Sequence, residues 1–331
     1  MIIKNIELTN FRNRKQYRLE CKDDTTLILG ENGCGKTSVL EAIYILLRGK
    51  SFRATDPEII NRDSDFYRIA LEFHNGEKNI VTYDRKEKTF LCSDKKTRRL
   101  PKKNRYPVIL FLPSDLNLVS SSPSRRRDYF NLVFGEFDER YSDYISKYEK
   151  ALKQRNELLK NNTIPTDTIF SWNVLLARYG SKIYELRKQF VNEINQRLTE
   201  VYSSIAENSD EIKLLYKTEL DDTGEASYLK KIEQNYEKDH YLGYTSFGVH
   251  RDDFIFYFNG EPADGSASRG ETRSIILALK FIEADLIDQK NHKKPLILLD
   301  DVFSELDENR RKCLIKNFKN HQVIITSVEL I

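Results

Sequence analysis

Along its first hundred residues the chain reads as a succession of short strands. IIKNIELTNF, YRLEC and TTLILG near the start, then FYRIALEFH and KNIVTYDR, alternate apolar with polar positions or run apolar between turn residues. Between them Val39, Leu40, Ile43 and Leu47 recur at helical spacing and predict an amphipathic helix beginning near Lys36. After Pro113 the character changes. From Ser124 to Ile205 there is almost no strand signal, and Gly135 and Gly180 are the only glycines. Tyr141, Tyr144, Tyr148, Leu152, Leu158 and Leu159 predict one helix, NNTIPTD at 161–167 breaks it, and a longer helix follows. That second helix carries Trp172, Leu176, Tyr179, Ile183, Leu186, Phe190, Leu198 and Val201 on one face, so the two are expected to pack as an antiparallel hairpin. From Glu211 strands return. FIFYFNG is followed by a helix from Glu271 to about Gln289, the apolar strand PLILLDD, a helix over Asn309–Phe318 and a last strand QVIITS. The expected fold class is α/β, with residues 1–112 and 207–331 forming one lobe and 113–206 an inserted helical domain without a long coiled coil.

The sharpest chemistry sits between the third strand and the first helix. GENGCGKT matches the phosphate-loop pattern G-x-x-x-x-G-K-T, running from Gly30 through Glu31, Asn32, Gly33, Cys34 and Gly35 to Lys36 and Thr37, with Ser38 next. The glycines allow a tight turn that aims backbone N–H groups at phosphate oxygens, and the helix N-terminus favours the same anions. Lys36 is placed to reach the β- and γ-phosphates of ATP, and Thr37 to hold Mg²⁺.

Composition narrows the setting. The chain has 331 residues, 39% of them apolar, which is enough for a substantial core. No apolar run approaches the ~20 residues needed to span a bilayer, and the N-terminus shows no signal-peptide pattern, so a cytoplasmic protein with no membrane partner is expected. Cys21, Cys34, Cys92 and Cys313 are scattered, which suggests neither a zinc site nor a disulfide framework. With 54 basic and 51 acidic residues the net charge is only +3, so a polyanion would have to meet a local patch. Two such patches are present, KKTRRLPKKNR at 95–105 and Arg125, Arg126 and Arg127.

A second half of the site lies far along the chain. PLILLDDVFSELD reads as an apolar strand delivering Asp300 to the carboxyl end of a sheet beside Lys36 and Thr37, where it can hold Mg²⁺ through water. Asp301 follows as candidate general base. Upstream, Ser268, Arg269, Gly270 and Glu271 open a helix and make another anion site. The order resembles that of ATP-binding-cassette ATPase heads. The class implies that Ser268 and Gly270 of one molecule cap the γ-phosphate held by another, and that Ser304 to Asp307 form the D-loop crossing the same interface. Asp301 stands where most of that class carry Glu, and withdrawing a carboxylate by roughly 1 Å implies slow turnover.

Beyond the class, the chain resembles the RecF family of bacterial recombination mediators. NFRN, GENGCGKTSVLEAIYILLRGKSFR, FLPSDLNLVSSSPSRRRDYF, YEKALKQRNELLK, FGVHRDDF, SASRGETRSIILALKFIEADLI and LLDDVFSELDENRR carry the resemblance. It implies a slow DNA-dependent ATPase that dimerises on ATP and clamps DNA at duplex and single-strand junctions. With a RecR-type mediator it would promote RecA loading, supporting replication restart and the SOS response. The chain departs from the family's usual residues at Glu271, where Gln is usual, and at Ser114, where Glu is usual. A cassette ATPase coupled to a nuclease in phage defence, or a nucleotide-bound scaffold, remain the alternatives.

Overall fold

The computed structural model describes residues 2–160, 166–220 and 224–328, which divide into two compact units, Met1–Asp115 with Glu283–Ile331, and Leu116–Ile282. The sequence signal NNTIPTD falls largely outside the described residues.

The first unit opens with strands β1 (Ile3–Phe11), β2 (Arg14–Glu20) and β3 (Thr25–Leu29), then helix α1 (Lys36–Arg48) and a short α2 (Asp56–Ile59). Strands β4 (Tyr67–Phe73), β5 (Lys78–Tyr83), β6 (Lys88–Cys92), β7 (Lys95–Thr97) and β8 (Val108–Phe111) follow. The second unit holds helices α3 (Pro123–Phe137), α4 (Glu139–Leu159) and α5 (Thr166–Ala206), strand β9 (Ile212–Lys217), and helices α6 (Glu225–Gln234) and α7 (Tyr236–Leu242). Strands β10 (Asp253–Phe258) and β11 (Glu261–Pro262) and the short α8 (Ala263–Ser266) lead to α9 (Arg269–Asn291), which runs across the division. The chain then returns to the first unit with β12 (Leu296–Asp300), α10 (Glu308–Asn317) and β13 (Val323–Ser327).

Two sheets build the first unit. Antiparallel strands run in the order β2-β1-β4-β5-β6-β7, and parallel strands in the order β3-β13-β12-β8. All five residues of β12 and all five of β13 are buried, as expected of central parallel strands covered on both faces. Helix α1 packs against β1, β4 and β5 of one sheet and β8, β12 and β13 of the other. That double packing explains why every position from Ser38 to Leu47 is buried, the charged Glu41 included.

The second unit is larger than the expected insertion 113–206. Its three-stranded sheet, in the order β11-β10-β9, packs on helices rather than completing the α/β lobe. Phe254 and Phe256 of β10 pack against Phe130 of α3 at 4.4 and 6.2 Å between ring centroids, and Thr199 of α5 donates to the Ile212 carbonyl of β9. The apolar face of β9 and β10 is thus satisfied by the aromatic faces of α3 and α5, and residues 207–282 go with the helices. Helices α4 and α5 run antiparallel, since Tyr141, Tyr144 and Arg155 meet Arg187, Tyr179 and Asn173 in descending order.

Candidate nucleotide-binding site

The site grows from the carboxyl ends of the parallel strands. Beyond Leu29, which pairs with Ser327, the Gly30 amide still donates to the Ser327 carbonyl, and the chain then turns into the loop. Gly35 caps α1 at φ 94°, a left-handed conformation that favours glycine, and a Cβ there would come within 2.5 Å of Asn13 Oδ1 and push that side chain aside. A Cβ on Gly30 would meet Cys34 Sγ at 2.6 Å. Asn13 in turn donates from Nδ2 to the Gly33 carbonyl at 3.2 Å and pins the loop from outside. Lys36 is buried, and its Nζ donates to the carbonyls of Gly30 and Glu31.

Across the sheet, the Thr37 hydroxyl donates to the Asp300 carboxylate, lying 2.8 and 2.9 Å from its two oxygens, and so ties the loop helix to the end of β12. Thr326 of β13 donates to Asp300 Oδ1 at 2.9 Å and accepts from the Asp301 amide at 2.9 Å. Asp301 turns out of the strand at φ 50°, a left-handed conformation that costs a non-glycine residue about 1 kcal/mol. Burial raises its carboxyl above the ordinary value, against the pull of Lys36 and with the help of the neighbouring Asp300 charge. Its Oδ1 is shielded and has no hydrogen-bond partner among the described residues. A carboxylate of raised basicity with an unused oxygen is equipped to accept a proton.

The donor set suits Mg²⁺. One hydroxyl and one carboxylate in contact leave the remaining positions to water and phosphate oxygens, as this cation prefers. Among the described residues no group of three His, Cys, Asp or Glu side chains could serve as an all-protein metal site.

These groups line one cleft of about 710 Å³, to which Asn32, Gly33, Gly35, Lys36, Thr37, Ser38, Asp300 and Asp301 all contribute. Gly30, Glu31 and Cys34 shape the loop without lining it. The cleft also contains residues to which the sequence assigned no role: Arg12, Asn13, Arg53, Asn61 and Arg62. Arg12 and Arg53 both clamp the fully buried Glu41, at 2.8 and 2.9 Å, while keeping part of their own surface exposed. Burial alone would raise the Glu41 carboxyl, but hydrogen bonds from Arg12, Arg53 and Ser51 outweigh it and hold the group below its ordinary value. NFRN and GKSFR contain these arginines, yet nothing in their spacing pointed to an acid in an apolar helix.

The remaining candidates have local partners. In the second unit, Ser268 caps α9 in a reciprocal box: its Oγ accepts from the Glu271 amide at 3.3 Å, and the Glu271 carboxylate accepts from the Ser268 amide at 2.6 Å. The acid at 271 is therefore turned onto its own helix. Gly270 follows in the first turn. Asp307 caps α10 by accepting from the Arg310 amide at 2.9 Å and does not line the cleft. The arginine patch is largely spent on internal contacts, since Arg126 forms a two-pronged pair with Asp253 and Arg127 donates to the Asp252 carbonyl at 2.9 Å.

The chain matches the AAA ATPase domain model over residues 1–327. It is 32% identical to the DNA replication and repair protein RecF of Clostridioides difficile (strain 630), across 100% of this chain and 92% of the relative. It is 33% identical to that of Clostridium perfringens (strain SM101 / Type A), across 98% and 92%. The chain belongs to the RecF family. A solved structure of the recombination mediator protein RecF-ATP superimposes with a TM-score of 0.87 at 27% identity, covering 99% of this chain and 92% of that one. An Smc head domain derived from Pyrococcus furiosus, at 15% identity and a TM-score of 0.51, shares the fold. The fold is thus that of an ABC-type ATPase head, without a long coiled coil among the described residues. No helix among them is long and apolar enough to cross a membrane.

Two of the stretches that resemble the RecF family serve the interior of the second unit rather than the cleft. Arg155 of YEKALKQRNELLK is fully buried and bonds Asp239, Thr245 and Asn173. In FGVHRDDF, His250 Nδ1 meets the Tyr148 hydroxyl at 2.8 Å, and Asp252 faces the buried Arg187 at 3.4 Å.

Proposed function

We propose that the protein is an ATP-driven DNA-binding component of recombinational DNA repair whose nucleotide site is completed by a second copy of the chain. The observation that carries this is the Thr37–Asp300 contact, which joins loop and acid into one magnesium-competent corner, with Asp301 alongside. RecF-family membership and the likeness to a structure of RecF-ATP in the RecFOR pathway support the setting.

In this reading the amides of Gly30 to Ser38 and the α1 N-terminus hold the phosphates, and Lys36 leaves the loop carbonyls to meet the β- and γ-oxygens. Thr37 and Asp300 hold Mg²⁺, which supplies charge neutralisation of the phosphate oxygens. Asp301 orients and deprotonates the attacking water. Arg12 and Arg53, fixed by Glu41, add positive charge at the rim. From the partner copy come Ser268, with its geometry set by Glu271, and Gly270, with Asp307 steadying the segment that crosses between the two. Closure grips duplex DNA at single-strand gaps, and a RecR-type mediator then promotes RecA loading, in support of replication restart and the SOS response. Turnover is slow, because Asp301 reaches less far than Glu.

The test is fluorescence anisotropy of a labelled gapped duplex. ATP should tighten binding relative to ADP, with a steep salt dependence, and Asp301→Asn should lengthen DNA retention in ATP. Binding indifferent to the nucleotide and to Asp301→Asn would overturn the reading.

A further inference from the structure

The first unit has a second large cleft, at the opposite end of the parallel sheet. It has a volume of about 840 Å³ and gathers residues from just before β3, β8 and β13 and at the start of β12. Three basic segments far apart in sequence converge there: Lys103 and Arg105 from the 95–105 run, Lys293 and Lys294 ahead of β12, and Lys319 after α10. Lys103, Arg105, Lys293 and Lys319 have no carboxylate partner among the described residues. Lys294 donates to the Asn320 carbonyl at 3.2 Å. His321, also in the wall, packs its ring edge-on against Phe318 at 6.0 Å between centroids, with both ring nitrogens shielded, so it shapes the cleft rather than offering a donor to it. Asp23, Asp24 and Glu77 line the cleft too and offset part of that positive charge; His74 Nε2 stands 2.8 Å from Asp23, and Asp24 accepts from the Thr25 amide.

We infer that this cleft docks a short acidic peptide segment of a partner protein. The charge excess is positive but modest, and the volume suits a few residues of extended chain, not a duplex. A single nucleic-acid strand would call for aromatic platforms. Among the described residues Tyr106 is the only Phe, Tyr or Trp in the wall, and it is buried, with its hydroxyl donating to the Lys294 carbonyl at 2.7 Å. Among the described residues no glycine lines the cleft to cradle a free phosphate. Spaced lysines and an arginine from three segments suit carboxylates presented at intervals along a backbone.

The experiment uses the full chain and three fluorescent probes: an octapeptide of alternating Asp and Ser, the same peptide with Asn for Asp, and an oligothymidylate of equal charge. The Asp peptide should bind at least about tenfold more tightly than the Asn peptide, and weaken with salt. Lys293→Glu with Lys319→Glu should remove that preference and leave ATP binding, at the far end of the sheet, unchanged. Equal binding of the two peptides, or retention of the preference in the double variant, would overturn the inference. Tighter binding of the oligothymidylate with the same sensitivity to the double variant would overturn it too, making the cleft a nucleic-acid site.

Discussion

Both units bury charge, and they do so in opposite ways. In the first, Glu41 is sealed in the core while its partners Arg12 and Arg53 keep 24% and 37% of their side-chain surface exposed and line the nucleotide cleft. In the second, Arg155 and Asp239 are both at 0%, with Asn173 and Thr245 also bonding Arg155, and Arg187 and Asp252 are at 1% and 5%, with Tyr141 and Asn131 bonding Arg187 and Tyr216 bonding Asp252. An acid buried beneath exposed arginines is an anchor that aims positive charge at a ligand. A pair buried on both sides aims at nothing outside and serves to fix helices and loops in one arrangement. Motifs of similar appearance, GKSFR and VHRDD, thus belong to different kinds of machinery.

The contrast is most exposed to failure at Arg155. Arg155→Met should destabilise the second unit by about 3–5 kcal/mol, because Asp239 is left charged and unpaired in the core. Denaturant unfolding followed by hydrogen exchange in α4, α5 and α7 would read this. Arg53→Ala, by contrast, leaves Glu41 held by Arg12 and Ser51, so it should cost less, about 1.5–3 kcal/mol in stability, and weaken ATP binding about tenfold, measured by calorimetry. If Arg53→Ala unfolds the protein while Arg155→Met does not, the distinction between anchor and lock is wrong.

A pH effect of intermediate size separates the units further. Burial depresses the His250 pKa to about 4, from an ordinary value of 6.5. Between these values the unfolded chain binds a proton that the folded unit excludes, so stability should fall as pH drops through this window, by up to about 3 kcal/mol. Glu41, held below its ordinary value, contributes stability that is lost only as pH falls beneath the ordinary carboxylate range. Comparing melting of the protein with that of His250→Asn from pH 7 to 4.5 isolates the histidine contribution. A difference that does not change with pH would contradict the assignment.

The smallest effect expected concerns the cap of α9. Glu271→Ala should cost about 1 kcal/mol of local helix stability, read by exchange of the first-turn amides.

How much of this was legible in the sequence depended on whether a feature is local. The loop from Gly30 to Thr37 and the strand ending at Asp300 are contiguous signals with fixed spacing, and the structure brings Thr37 and Asp300 into contact. Strand β8, a four-residue VILF run, carried too little pattern to be read, although it pairs in register with β12. Arg155 lies on the buried stripe of α4 with Tyr148, Ala151 and Leu159, where periodicity places no arginine. Its burial follows from Asp239 and Thr245, whose proximity sequence cannot show. The same holds for Arg12 and Arg53 around Glu41, and for the boundary of the second unit. FIFYFNG alternates as any half-buried strand would, and nothing in that alternation names the layer that covers it.

The central claim is that the nucleotide cleft is half of a site and that ATP joins it to the Ser268 end of a second copy. Sedimentation velocity of the full chain tests this directly, with Mg²⁺ and either no nucleotide, ADP or ATP. One-chain mass is expected without nucleotide and with ADP, and two-chain mass with ATP. Asp301→Asn should stabilise the pair and Ser268→Arg should abolish it. A mass of one chain under every condition, or a pair that forms equally well with ADP and with Ser268→Arg, would contradict it.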